Sequence, residues 1–259
     1  MPYLNNNGIR IYYRTEGAGS PVVLMHGTSG DMETWRDYDY VDPLKQSHRL
    51  ILIDSRGHGH SDKPHDPAAY TLDKRVGDIV AVLDALGIRK AHYVGYSMGG
   101  WIGFGLAKHA PDRVLSLSLG GSHPYEDSMK MQRDTWAGRT TADVLAQVEA
   151  DGRAFTEDRR ARYLANDPQA LAALCGPREN NEAVLSGMKM PCLIYCGDAD
   201  SRHPQAKKAA AAITGGKFAS LPGLDHPAGF SESRLALPHL RAFLSLSPLR
   251  GDQQPAKPL

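Results

Sequence analysis

The chain has 259 residues, 41% of them hydrophobic, with 30 Lys and Arg set against 29 Asp and Glu for a formal net charge of +1. That length buries about three quarters of the unfolded surface without covalent staples. The charge balance excludes the basic excess that a nucleic-acid-binding face requires, so no nucleic-acid partner is expected.

Taken from the N-terminus, residues 1–10 hold three consecutive asparagines and no apolar h-region, so no signal peptide is read there. No apolar stretch approaches the eighteen or so residues of a membrane span, and no membrane partner is expected. Val22 to Met25 is a short apolar run ending at Gly27, and Leu50 to Ile53 is another, ending at Asp54. Thr71 to Leu86 carries Val76, Ile79, Val80, Leu83 and Leu86 at helical spacing, with Thr71 as N-cap and Gly87 as stop. Tyr93-Val94 runs into Gly95, and Met98 to His109 then reads as a helix ended before Pro111. Val114 to Leu119 runs into Gly120-Gly121, Cys192 to Cys196 into Gly197, and Lys217 to Leu221 precedes a last helix over 228–245, kinked at Pro238. Apolar runs of four to six residues without clean alternation predict strands buried on both faces, and their alternation with helices predicts an α/β doubly wound parallel sheet.

Residues 122–189 break this rhythm. Trp136, Val144, Leu145, Val148, Phe155, Tyr163, Leu164, Leu171 and Leu174 recur at helical spacings without a β-branched run, which predicts a helical insertion. The mixed-sign run Glu157, Asp158, Arg159, Arg160, Arg162 reads as its solvated helix face. The expected organisation is a core of 1–121 and 190–247, a helical cap of 122–189, and a disordered tail at 248–259, rich in Pro, Gln and Lys. Cys175, Cys192 and Cys196 fit neither a paired framework nor a metal spacing, which points to a reducing, cytoplasmic setting.

Gly95-Tyr96-Ser97-Met98-Gly99 matches G-x-S-x-G between a strand and a helix. A serine hydroxyl projected from so sharp a turn needs a strained backbone at the serine and glycines two residues to either side. The helix N-terminus behind it aims free N–H groups at the site. Acyl transfer needs two such donors where the carbonyl oxygen becomes negative. The Met98 amide supplies one, and the loop His26-Gly27-Thr28-Ser29-Gly30 offers a second, the Thr28 amide; His26 itself reads as structural.

A general base must activate the serine. Composition cannot choose among eleven histidines, but position does, since ligands gather at the carboxyl ends of strands in open α/β sheets. His226, in Leu221-Pro222-Gly223-Leu224-Asp225-His226, follows a strand and precedes the last helix, and is the favoured base; His123, after another strand, is the rival and a candidate pocket residue. His58 and His60 lack a third ligand for a metal, and neither metal nor cofactor is expected. A carboxylate must orient the base. Gly197-Asp198-Ala199-Asp200 offers two: Asp198 sits close to the turn glycine, and Asp200, further into the loop, is favoured.

On these motifs the chain resembles the α/β-hydrolases of the small esterase and lactonase type over about residues 8–247. The resemblance extends to Trp35 downstream of the His26-Gly27 loop and to Asp54-Ser55-Arg56-Gly57-His58-Gly59-His60-Ser61-Asp62-Lys63-Pro64, a segment with a structural role in that family. It implies an eight-stranded, mostly parallel sheet, a helical cap over the pocket, a Ser97–Asp200–His226 triad, and an oxyanion hole of the Thr28 and Met98 amides. Asp225, where glycine is frequent, and Trp101 after Gly99-Gly100 depart from the commonest pattern and leave the substrate open. Dehalogenases and epoxide hydrolases of this fold carry an aspartate at the elbow, unlike Ser97. The expected activity is hydrolysis of a small to medium carboxylic ester through an acyl-enzyme, with a lactonase or carbon–carbon bond hydrolase as the alternative on the same triad and a non-catalytic ligand receptor as the alternative from another class. Trp35, Trp101, Met129, Met131 and Trp136 are candidate apolar walls of the pocket for a small-molecule ester or lactone.

Overall fold

A computed structural model describes residues 3–246; the tail expected over 248–259 lies outside the described residues. In chain order the elements are β1 (Tyr3–Asn6), β2 (Ile9–Glu16), β3 (Ser20–Met25), α1 (Thr34–Asp37), α2 (Val41–Lys45), β4 (His48–Ile53), α3 (Leu72–Ala85), β5 (Ala91–Tyr96), α4 (Met98–His109) and β6 (Val114–Gly120). Four helices then intervene, α5 (Lys130–Trp136), α6 (Thr141–Ala150), α7 (Glu157–Leu164) and α8 (Pro168–Leu174). The core resumes with β7 (Cys192–Gly197), α9 (His203–Ala212), β8 (Lys217–Leu221), α10 (Ala228–Ser231) and α11 (Ser233–Ser245).

The eight strands form one sheet in the order β1-β2-β4-β3-β5-β6-β7-β8. β1, β2 and β4 pair antiparallel, and every pairing from β4 through β8 is parallel. Alternate residues of the central strands feed two cores. Val23, Met25, Ile51, Ile53, Ile194 and Cys196 join one face with α3, α4 and α9, whereas Val22, Leu24, Leu50, Leu52, Leu193 and Tyr195 join the other with α1, α2 and α11. Burial on both faces is why these strands lack polar alternation. All three cysteines are free and buried. Among the described residues no helix is long and apolar enough to cross a membrane.

One local expectation needs correction, and one holds for position without the capping bond. The helix expected over 228–245 is split at Glu232, whose φ of −84° and ψ of 61° interrupt it, and Pro238 lies within α11. Thr71 occupies the N-cap position of α3, but its side chain accepts no capping amide bond.

The segment from Asp54 to Pro64 is tied beneath the carboxyl end of the sheet. Asp54 accepts the amides of Met32 and His60, each at 2.8 Å. Arg56 donates to both oxygens of Asp78 on α3 at 2.6 Å, with both side chains only 4% exposed. Removing one partner strands a buried charge, which costs about 3–5 kcal/mol. Asp78→Ala is therefore expected to lower the urea midpoint by that equivalent at unchanged m-value. A loss under about 1 kcal/mol would contradict it.

Candidate active site

Ser97 links β5 to α4 with φ 55° and ψ −110°, a backbone region that a non-glycine residue occupies only under strain. The flanking glycines make the turn possible. A Cβ on Gly95 would lie 2.4 Å from the Gly99 carbonyl oxygen, and one on Gly99 2.2 Å from that of Met25. The Ser97 amide donates to the Gly120 carbonyl at 2.8 Å, which anchors the turn to β6.

His226 arrives from the loop after β8. Its Nε2 lies 2.9 Å from Ser97 Oγ and its Nδ1 2.6 Å from Asp200 Oδ2. A carboxylate only accepts, so Nδ1 carries the proton and Nε2 accepts from the Ser97 hydroxyl. Asp200 is buried at the end of β7, and its second oxygen accepts the Arg202 amide at 3.0 Å. Burial alone would raise this carboxyl, but the His226 hydrogen bond and charge, together with Arg202, outweigh it and hold the group down at about 2. For His226, burial is the largest influence and lowers the imidazole below its usual value; the Asp200 bond opposes this only in part, while the charges of Arg202 and Arg153 reinforce it. A neutral, oriented imidazole beside a serine hydroxyl is the arrangement that can take up the hydroxyl proton.

The loop 26–30 lies against the elbow: a Cβ on Gly27 would meet Ser97 Cβ at 3.3 Å. Among the described residues neither the Thr28 nor the Met98 amide has an acceptor, and Thr28 lines the same cavity as Ser97. His26 ties this loop down, with Nδ1 donating to the Gly27 carbonyl at 2.7 Å and Nε2 accepting the Ser55 amide at 3.1 Å. Asp198 accepts the Gly223 amide at 2.7 Å, joining the β7 loop to the loop that carries His226. Asp225 accepts the Ala228 amide at 2.9 Å and steadies the turn into α10.

A cavity of about 350 Å³ opens above Ser97, between the sheet and α5 to α7. Trp136 and Met129 line it, together with Tyr163 and Phe155. Four other expected wall residues do not. Trp35 is fully buried in the core, edge-on to Phe230 and Tyr40, because α1 turns it under the floor. Met131 is 74% exposed on the outer face of α5. Trp101 faces a second cavity of about 420 Å³, which meets the first at Met129 and Arg178. His123 is not among the lining residues; its ring is tilted against Tyr125 at 5.7 Å, with its Nδ1 buried and unpartnered. The run at 157–162 is also not simply a solvated face: Arg159 and Arg162 line the cavity, Arg162 pairing with Asp31 at 3.0 Å.

Three contributors were not apparent from sequence. Tyr96 donates to the His226 carbonyl at 2.6 Å while its ring stacks on Phe230, fixing the imidazole from below. A tyrosine at the variable position of G-x-S-x-G was its only signal. Arg178 and Arg202 reach the cavity from separate loops, and no spacing signals their approach.

A family model for the alpha/beta hydrolase fold matches residues 20–206, well over half of the chain. The structure is similar to the enol-lactonase of Burkholderia xenovorans LB400, with a TM-score of 0.83 and 25% identity over 94% of this chain and 100% of that one. It is also similar to the esterase RhEst1 of Rhodococcus sp. ECU1013, with a TM-score of 0.80 and 25% identity over 95% and 98% of the two chains. In sequence it is 42% identical to the 2-hydroxymuconate semialdehyde hydrolase of Pseudomonas sp. (strain CF600), over 44% of this chain and 41% of that protein. The chain spans less than half the length of several curated relatives that it matches. With the eight-stranded sheet, the strained serine elbow and this match in hand, the chain belongs to the α/β-hydrolase fold family.

Proposed function

We propose that this protein is a serine hydrolase that cleaves a small to medium carboxylic ester or lactone through an acyl-enzyme. The observation that carries the reading is the hydrogen-bonded chain Ser97–His226–Asp200 at the floor of a cavity large enough for a small ligand. Ser97 Oγ attacks the carbonyl carbon as its proton passes to His226 Nε2. The carbonyl oxygen becomes an oxyanion, held by the Thr28 and Met98 amides. Collapse of this intermediate breaks the bond to the leaving oxygen, which takes the proton from His226. Water then attacks the acyl-enzyme, gives its proton to His226, and releases the acid as the proton returns to Ser97. Asp200 stays ionised throughout and stabilises the imidazolium. Each oxyanion donor is worth about a hundred- to a thousandfold in rate.

For a lactone the same steps apply, with the leaving alkoxide still tethered to the acyl group; the likeness to an enol-lactonase supports including this class. The helices between β6 and β7 act as a cap, shaping the acyl pocket through Trp136, Met129 and Tyr163.

The direct test is labelling with a fluorophosphonate probe, followed by peptide mapping, alongside hydrolysis of p-nitrophenyl acetate and butyrate. Labelling at Ser97 with ester turnover is the expected result. A folded protein inert to both would overturn the reading in favour of a ligand receptor on a hydrolase shell.

A further inference from the structure

The cavity above Ser97 is strongly cationic. Its wall carries five arginines, Arg153, Arg159, Arg162, Arg178 and Arg202, against one carboxylate, Asp31. Asp31 is already taken, since Arg162 pairs with it and with Asp37. Arg159 bonds the Tyr38 hydroxyl and lies 4.5 Å from the Phe155 ring. Arg202 reaches only the far oxygen of Asp200, at 3.5 Å, a carboxylate already committed to His226.

Arg178 stands apart. Its backbone pairs with Asp127 in both directions, at 2.8 and 3.2 Å, which fixes where the side chain starts. The guanidinium lies 4.7 Å over the Trp101 ring and has no hydrogen-bond or ion-pair partner among the described residues. Asp127, the nearby carboxylate, accepts the Met129 amide instead. A guanidinium held over an indole ring with none of its N–H groups bonded can offer its fork to a carboxylate in bidentate geometry. Burial also lowers Arg178 to about 10; the Asp127 charge opposes this only in part, and the Arg202 charge adds to it. A charge held this way is costly without an anion, and a ligand that brings one relieves the cost.

We infer that Arg178, held over Trp101 and assisted by Arg202, is an anion subsite, and that the natural substrate is an ester or lactone bearing a free carboxylate. The substrate assignment rests on the serine-hydrolase reading, whereas the anion subsite does not. Trp101 then serves as the platform that aims Arg178, rather than as an apolar wall.

The experiment compares kcat/KM for mono-p-nitrophenyl glutarate, carrying its carboxylate on the acyl side, with p-nitrophenyl butyrate. A carboxy-substituted p-nitrophenyl butyrate places the charge on the leaving group. One of the two anionic esters is expected to exceed the neutral one by about tenfold or more, as charged hydrogen bonds allow. Arg178→Gln is expected to bring that ratio close to one, and Arg178→Lys to restore part of it, because the charge returns without the flat fork. An anionic-to-neutral ratio near one in the wild type, or a preference that survives Arg178→Gln, would overturn the proposal. Calorimetric binding of glutarate is measured in parallel. If no ester is cleaved, the serine-hydrolase reading fails, and glutarate binding lost in Arg178→Gln still upholds the anion subsite. No glutarate binding to the folded wild type in that case would overturn the subsite as well.

Discussion

Ser97→Ala is expected to cut kcat for p-nitrophenyl butyrate by about 10⁵–10⁶-fold, the scale seen when a triad nucleophile is removed. The residual rate reflects what remains: two amide donors and a cavity that still binds and orients the ester. The side chain is half-buried and opens into the cavity, with its single side-chain bond to His226. The substitution leaves the left-handed backbone at this position in place, so the fold is retained and the thermal midpoint stays within a few degrees. The variant also loses fluorophosphonate labelling. Retention of more than about one percent of wild-type kcat would show that another group carries the chemistry.

Asp200→Asn is expected to lower kcat by about 10⁴-fold, because an amide can offer an N–H to Nδ1 and thereby favour the wrong tautomer of His226. The pH profile of the wild type follows from the same pair. On the proposed mechanism the neutral imidazole is the active base, so kcat/KM is expected to fall as pH drops through the His226 value. Burial and the Arg202 and Arg153 charges place that value below the ordinary 6.5. The acid limb is therefore expected to have its midpoint below about 6.5. Asp200, held down at about 2, stays ionised across the measurable range and adds no second limb above about pH 3. Rate profiles from pH 4 to 9 test this, and a midpoint at or above 7 would contradict it.

The elbow illustrates how far local sequence reaches. Strand, Gly95, Ser97, Gly99 and helix are consecutive, and the glycines are required by backbone atoms at 2.2–2.4 Å, so the pattern carries its own geometry. The strands from β3 to β7 were legible for a related reason: they are largely buried on both faces and therefore mostly apolar, whereas β8, at the sheet edge, is half-exposed. β1 and β2 lack that signature, since they pair antiparallel at the sheet edge and are half-exposed. Their trace was weaker, the alternation of Ile9, Ile11 and Tyr13 along β2.

The cavity wall was much less legible. Aromatic residues near a motif are equally at home in a core, and only packing separates Trp136, which lines the cavity, from Trp35, which lies under it. The arginines show the opposite error. Arg159 and Arg162 sit in a charged run that reads as solvent-facing, yet α7 turns them inward, because long side chains reach across whichever surface their helix is laid against.

By itself the sequence determined the fold and the strained serine turn, and it named the candidates to serve that serine, because each of these rests on consecutive backbone positions or on the carboxyl ends of successive strands. Tertiary structure brought His226, already favoured by position, to 2.9 Å from Ser97 across 129 positions of chain, and it alone decided which cations crowd the cavity. Those contacts join loops distant in sequence: the first is set by how the strands lie side by side in the sheet, and the second by how the inserted helices seat on it. The strained serine turn was thus written in the elbow, and the cationic character of the cavity beside it was written in the packing of distant loops.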